Sequence, residues 1–290
     1  MKDYVIITDA TADIPVEMLE ELGIEVIPMD FEMGGRSYRH FPDGRDMDLH
    51  EFYDRMRAGQ MSTTTQINCT MYNSYFEPVL KDGKDILYIC FSSGLSGTYQ
   101  AAQIAISDLA EKYPKNKVVC VDSRAATLGE GLLVISAVQK KREGTPLDEL
   151  AHWVENSSFH VCHWFTVDDL NHLRRGGRIS AVSAVAGSAL GIKPILHVDN
   201  AGCLVPVSKV RGRKNALNDL VNRMEKSCVC PKEQVAFIVH GDCLDDANYV
   251  ADLIKERLHV KDIVINFVGP IIGTHTGPGI VGLIFFGTEK

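Results

Sequence analysis

Apolar positions recur along this chain in two rhythms, one of short continuous runs and one of helical steps, and their alternation outlines the fold. Tyr4 to Thr8 is a short apolar run ending at Asp9, and Ile14 to Leu22 then carries helical spacing, so a strand, a loop and a helix follow one another. Ile24 to Met29 reads as the next strand. Asp85 to Phe91 is a further apolar run, followed by Ser92-Ser93-Gly94, after which Leu95, Tyr99, Ala102, Ile106 and Leu109 fall at helical steps. Lys117 to Val121 is a strand, and Leu128, Leu132 and Ile135 open a helix after the turn residues Asp122-Ser123-Arg124. Repeated strand and helix in this order predict a mainly parallel sheet covered on both faces, a three-layer α/β/α domain over residues 1–158.

The texture changes from about residue 158. Phe159 to Thr166 reads as a strand, but Ile195 to Val210 reads as a hairpin around Asp199-Asn200-Ala201-Gly202, and antiparallel strands imply a separate sheet. Leu244, Ala247, Val250, Ile254 and Leu258 make an amphipathic helix. Ile263 to Val268 and Ile280 to Phe286 are strands flanking a glycine-rich loop. Residues 159–290 are therefore expected to form a two-layer mixed α/β domain, and no internal repeat interrupts either half.

Composition narrows the partners. The chain has 290 residues, 45% hydrophobic and 23% charged, ordinary values for a globular protein of two domains. Thirty Lys and Arg against 38 Asp and Glu give a formal charge of -8, which argues against nucleic acid or an anionic membrane as partner. The N-terminal apolar run meets Asp9 too soon for a signal peptide, and no run is long enough to span a bilayer, so an integral membrane protein is not expected. Only Cys228 and Cys230 are near neighbours among the cysteines. No metal-site spacing results, and reduced, cytoplasmic thiols are expected.

Four segments carry chemistry. Ser92 to Tyr99 is a hydroxyl-rich turn between a strand's carboxyl end and a helix start, where ligands bind in open α/β sheets and free N–H groups favour an anion. Its bland alternative is a serine that only caps the helix. Ser62-Thr63-Thr64-Thr65-Gln66 is a run of hydroxyls ahead of a helix beginning near Asn68, and on sequence alone a solvated capping loop is the favoured reading. Gly273-Thr274-His275-Thr276-Gly277-Pro278-Gly279 holds a histidine between glycine turns at a strand end, an awkward place for core packing. Leu173 to Ser180 is a helix junction with a glycine C-cap, a serine that starts the next helix, and Arg178 placed to reach a cleft.

Together these segments resemble the DegV family over nearly the whole chain. The resemblance opens with Thr8-Asp9-Ala10-Thr11-Ala12-Asp13-Ile14-Pro15, similar to the family's Thr-Asp-Ser-Thr-Ala-Asp-Leu-Pro, and continues through Ser92 to Tyr99, Arg175 to Ser180 and Gly273 to Gly279. One departure is Thr64-Thr65-Gln66-Ile67, where the family commonly reads Thr-Ser-Gln-Pro. The resemblance implies a long-chain fatty acid in a tunnel between sheet and helices, its carboxylate held by Thr64, Thr65 and Ser93, with Arg178 and His275 beside the headgroup. It also implies a carrier with no cofactor and no chemistry of its own, the lipid-binding subunit that presents the carboxylate to a fatty acid kinase for acyl-phosphate formation. The basic run Lys209-Val210-Arg211-Gly212-Arg213-Lys214, otherwise readable as a solvated hairpin end, would then face the kinase through Arg211 and Arg213.

A lipid also suits the energetics. About fifteen methylenes at about 0.8 kcal/mol each set an upper limit of about 12 kcal/mol before the costs of binding. Two other classes compete. One is a lipid or ester hydrolase with Ser93 as nucleophile, His275 as base and Asp9 as orienting acid, although the turn lacks the Gly-x-Ser-x-Gly elbow. The other is a regulatory interaction module that binds no lipid.

Overall fold

A computed structural model of the chain describes residues 2–180, 191–288 and 290. Four parallel strands, β1 (Tyr4–Asp9), β2 (Glu25–Ile27), β6 (Asp85–Cys90) and β7 (Val118–Asp122), lie in the order β2-β1-β6-β7. Alternating side chains bury both faces, as a parallel sheet requires. Ile6, Leu87 and Ile89 face α1 (Val16–Leu22), α5 (Leu128–Arg142) and α6 (Leu147–Ser157), whereas Ile7, Ile86 and Tyr88 face α3 (Cys69–Lys81) and α4 (Thr98–Lys112). This is the three-layer arrangement expected.

The strand expected over residues 24–29 is instead cut at Pro28. That residue has no N–H for a ladder and lies between β2 and β3 (Met29–Met33). β3 leaves the parallel sheet to pair antiparallel with β4 (Arg36–His40) and β5 (Ser62–Thr64), a small sheet that periodicity did not reveal. α2 (Leu49–Arg57) follows β4. Half of the hydroxyl-rich segment is thus strand rather than loop, and Phe31 pairs with Thr64 across it.

The second half forms a six-stranded mixed sheet in the order β10-β9-β8-β13-β11-β12. Its strands are β8 (Val161–Thr166), β9 (Ile192–Val198), β10 (Leu204–Arg211), β11 (Val235–His240), β12 (Asp262–Phe267) and β13 (Val281–Phe286). The hairpin expected around Asp199 to Gly202 is β9 and β10, closed by Gly202 N–H donating to Asp199 O at 2.9 Å. Helices α8 (Arg213–Ser227) and α9 (Leu244–Leu258) cover one face of this sheet. The other face meets α5, whose residues from Leu128 to Leu133 are buried without interruption. A helix apolar all round is one enclosed on all sides, and α5 is shared between the two sheets.

Two short helices complete the frame. α7 (Asn171–Arg175) ends at Gly176, as the junction predicts, and the helix expected to start at Ser180 lies outside the described residues. The Gly273 to Gly279 segment, expected as a turning loop, is mostly the last part of α10 (Pro270–Thr276). A glycine costs a helix about 1 kcal/mol, but Gly273 is packed so closely that a Cβ there would lie 2.7 Å from Tyr53 Oη. Proximity to α2 outweighs propensity.

Candidate functional site

The crevice in an open parallel sheet lies beyond the carboxyl ends of its strands, where neighbouring strands are reached in opposite directions. Here that point is between β1 and β6, and it is closed by Asp9, whose Oδ2 accepts from Phe91 N–H at 3.1 Å and Tyr88 Oη at 2.9 Å. Immediately beyond Phe91 the inner face of the second sheet stands off, and a cavity of about 350 Å³ remains between the halves. Its walls are largely apolar: Met29, Phe91 and Leu95 come from the first half, and Phe165, Val239 and Ile284 from the second. This volume lies within the range of small-molecule sites.

One end of the cavity is polar, because β5 brings Thr64, the following loop brings Thr65 and Gln66, the serine turn brings Ser96, α10 brings His275, and the α7 junction brings Arg178. Thr64 Oγ1 and His275 Nε2 share a hydrogen bond of 2.9 Å. Burial first, and Arg178 second, lower the His275 imidazole to about 4, so it is neutral at pH 7. Its Nδ1 has no hydrogen-bond partner among the described residues and lies against Gly176, where a Cβ would stand 2.2 Å away. Only glycine leaves room for the ring. Arg178 is half-buried, donates from Nε to Leu95 O at 3.1 Å and from Nη1 to Gly176 O, and has no carboxylate partner among the described residues. An unneutralised guanidinium at one end of an apolar cavity, beside hydroxyl donors, is an environment for a carboxylate.

Of the residues singled out in the sequence, Thr64, Thr65, Arg178 and His275 come together at this end. Ser93 does not line the cavity: its Oγ donates to Asp122 Oδ2 at 2.6 Å and its N–H to Asp122 Oδ1 at 3.1 Å. Its neighbour Ser92 donates to Gly202 O at 2.8 Å, fastening the β9–β10 hairpin to the turn, and Ser96 is the serine that reaches the cavity. Asp9 is fully buried and occupied by Thr11, Tyr88 and Phe91, so Ser93, His275 and Asp9 each have other partners and form no triad. At the basic run Arg211 is exposed, whereas Arg213 is held by Asp246 at 2.8 Å and by Gly279 O at 2.7 Å. Sequence reasoning missed Thr127, a wall residue in the left-handed region at φ 51, and His163 on β8, which burial lowers to about 3. A lone histidine within a strand run gave no signal of a cavity on that face.

Among the described residues no three His, Cys, Asp or Glu side chains are grouped to hold a metal ion, and no helix is long and apolar enough to cross a membrane. None of the eight cysteines forms a disulfide among the described residues. What the fold and site define is a two-half α/β protein with a preformed apolar cavity at its junction and an anion-compatible end. A family model described as "Uncharacterised protein, DegV family" matches residues 3–288, and the chain belongs to the DegV family. A DegV domain-containing protein of Clostridium perfringens is 44% identical over 292 residues, covering 100% of this chain and 99% of that one. Solved relatives share the fold: a DegV family protein of Thermus thermophilus described for its fatty acid binding (TM-score 0.88, 27% identity, 99% and 100% of the two chains) and DegV of Bacillus subtilis, described as a fatty acid binding protein (TM-score 0.85, 30% identity, 98% and 99%).

Proposed function

We propose that this protein binds one long-chain fatty acid in the junction cavity and presents its carboxylate to a separate kinase for acyl-phosphate formation. The observation that carries the reading is the cavity itself, an apolar space of about 350 Å³ ending at Thr64, Thr65, His275 and an Arg178 without a carboxylate partner among the described residues. Affinity comes from burying the tail, and the polar end offsets the desolvation of the headgroup. Its relatives of known structure that bind fatty acids support the choice of ligand. In this arrangement Thr64, Thr65 and Ser96 donate to the carboxylate and Arg178 supplies charge. Ser93 acts one step back, fixing the serine turn through Asp122. Residues 1–158 and 159–290 serve as the two domains that enclose the lipid, and a reducing, ATP-containing cytoplasm suits both the unbridged cysteines and the partner.

Native mass spectrometry of protein purified from cells tests the ligand. The expected spectrum carries an added mass of one fatty acid, lost on denaturation. Ligand-free protein that also fails to take up palmitate or oleate from solution would sink the reading in favour of a lipid-free interaction module.

A further inference from the structure

The start of α5 spells a capping box in sequence, Thr127-Leu128-Gly129-Glu130, in which the threonine hydroxyl and the glutamate carboxylate would each satisfy a backbone N–H. The fold dissolves both halves of it. Glu130 turns inward, where its Oε1 accepts from Thr8 Oγ1 at 2.7 Å and its Oε2 from Thr11 Oγ1 at 2.9 Å. Thr127 makes no side-chain capping bond, and its Oγ1 has no hydrogen-bond partner among the described residues. Its backbone, at φ 51 and ψ -145, lies in a region that suits glycine and strains a β-branched residue. A threonine held in a glycine's conformation, with a hydroxyl that fastens nothing in the chain, lines the junction cavity. We propose that Thr127 marks a second polar subsite of this cavity, which takes the hydroxyl of a hydroxylated long-chain fatty acid. The proposal rests on the fatty-acid reading above and narrows its ligand class.

The subsite lies along the tail of that ligand, away from its headgroup. From Ile280, just after the His275 segment, to Ile284 the cavity wall advances four residues, about 13 Å at the rise of a strand. Ile284 is paired with His163, and β8 sets His163 beside the first turn of α5, where a Cβ on Gly129 would stand 1.5 Å from its Nε2. His163 is buried, its Nδ1 lies 3.1 Å from Val161 O, and its Nε2 has no hydrogen-bond partner among the described residues. Around Thr127 and His163 the wall is apolar, built by Phe91, Ala126, Val198 and Leu204. A plain methylene chain laid there would cover the threonine hydroxyl without replacing the hydrogen bond to water that it loses. A hydroxyl on the chain restores that bond, and because hydroxyls both donate and accept it suits either tautomer of the His163 ring. A second carboxylate would not fit, since the lining cation, Arg178, belongs to the headgroup end and the new charge would stay unpaired.

Competition read by native mass spectrometry tests this, with the delipidated full chain offered stearate and one monohydroxystearate in equal amounts. The two complexes differ in mass by one oxygen, and the ratio is read within each protein, so a general change in acyl affinity cancels. The parent should favour an isomer hydroxylated along the chain over stearate by about tenfold, the effect expected of one buried hydrogen bond. The isomer hydroxylated beside the carboxylate should show no such preference. Thr127→Val keeps the β-branched shape, removes the hydroxyl and should bring the ratio near one, whereas Thr127→Ser should retain it. If the valine variant does not fold, Thr127→Gly, which accepts this backbone without strain, takes its place. Stearate taken as well as every chain-hydroxylated isomer, or a preference that survives loss of the hydroxyl, would overturn the proposal. Uptake of neither acid by the parent would overturn the fatty-acid reading and this proposal together.

Discussion

Asp13 shows how much a single buried group can contribute at the residue scale. It sits in the left-handed region at φ 48, its Oδ1 accepts from Gly269 N–H at 3.0 Å, and its Oδ2 has no hydrogen-bond partner among the described residues. Gly269 is the N-cap of α10, so this carboxyl helps to set the helix that carries His275. Burial pushes Asp13 up to about 6, with His40 opposing the rise. The sign follows from linkage: a carboxyl raised in the folded state contributes its full stability below the unfolded value near 3.8, loses it as pH rises toward about 6, and is constant above. Asparagine keeps the acceptor, tolerates the left-handed backbone and removes the charge. Asp13→Asn should therefore match the parent at pH 4 and exceed it by about 1–3 kcal/mol at pH 8, at 1.36 kcal/mol per pKa unit. Urea unfolding at the two pH values checks this, and a difference that does not change with pH would show that Asp13 titrates alike in the folded and unfolded chain. The residue was visible only as part of the Thr8 to Pro15 motif, because burial of a carboxyl cannot be read from spacing.

At the scale of elements, what the sequence disclosed depended on whether one neighbour or two determined the environment. β1, β6 and α4 obey their own periodicity, and each appears where its apolar spacing puts it. α5 is different, since its first turns read as an ordinary amphipathic start at Leu128, Leu132 and Ile135, yet Leu133 and Val134 between them are fully buried. The second sheet supplies the additional contact, and nothing local announces it. α10 was hidden for a similar reason, because Gly273 is read as a breaker until Tyr53 and Phe52 are seen to need its missing Cβ. Leu133→Ala should cost about 2–5 kcal/mol, the range for a leucine removed from a site that cannot collapse. Chemical denaturation measures it. A cost below about 1 kcal/mol would mean that α5 is not clamped between the sheets as its burial implies.

At the scale of the whole molecule, the site was legible at its polar end and illegible in its depth. Thr64, Thr65, Arg178 and His275 were found because hydroxyl, guanidinium and imidazole groups are conspicuous in sequence, while Phe165, Val239 and Ile284 look like any core strand. Which serine of the turn faces the cavity was also beyond spacing, since Asp122, 29 residues away from Ser93, decides it. The same correction applies to the surface proposed for the kinase. Arg213 is committed to Asp246 and Gly279, so reversing its charge would disturb the fold rather than an encounter. Lys209, Arg211 and Lys214 remain exposed on the same stretch, with Lys214 resting over Tyr249 at 5.1 Å. If this stretch meets an acidic face of the kinase, complementary charge governs the association rate and salt dependence more than lipid affinity. Lys209→Glu with Arg211→Glu should thus slow acyl-phosphate formation several-fold at subsaturating protein and low salt, with the deficit shrinking as salt screens both forms. Palmitate affinity and the urea midpoint should stay near the parent's. Hydroxylamine trapping of the acyl phosphate, with kinase and ATP supplied, gives the rate. Equal rates at every salt concentration would remove this stretch from the interface, and a loss of palmitate binding would place its charges at the ligand instead.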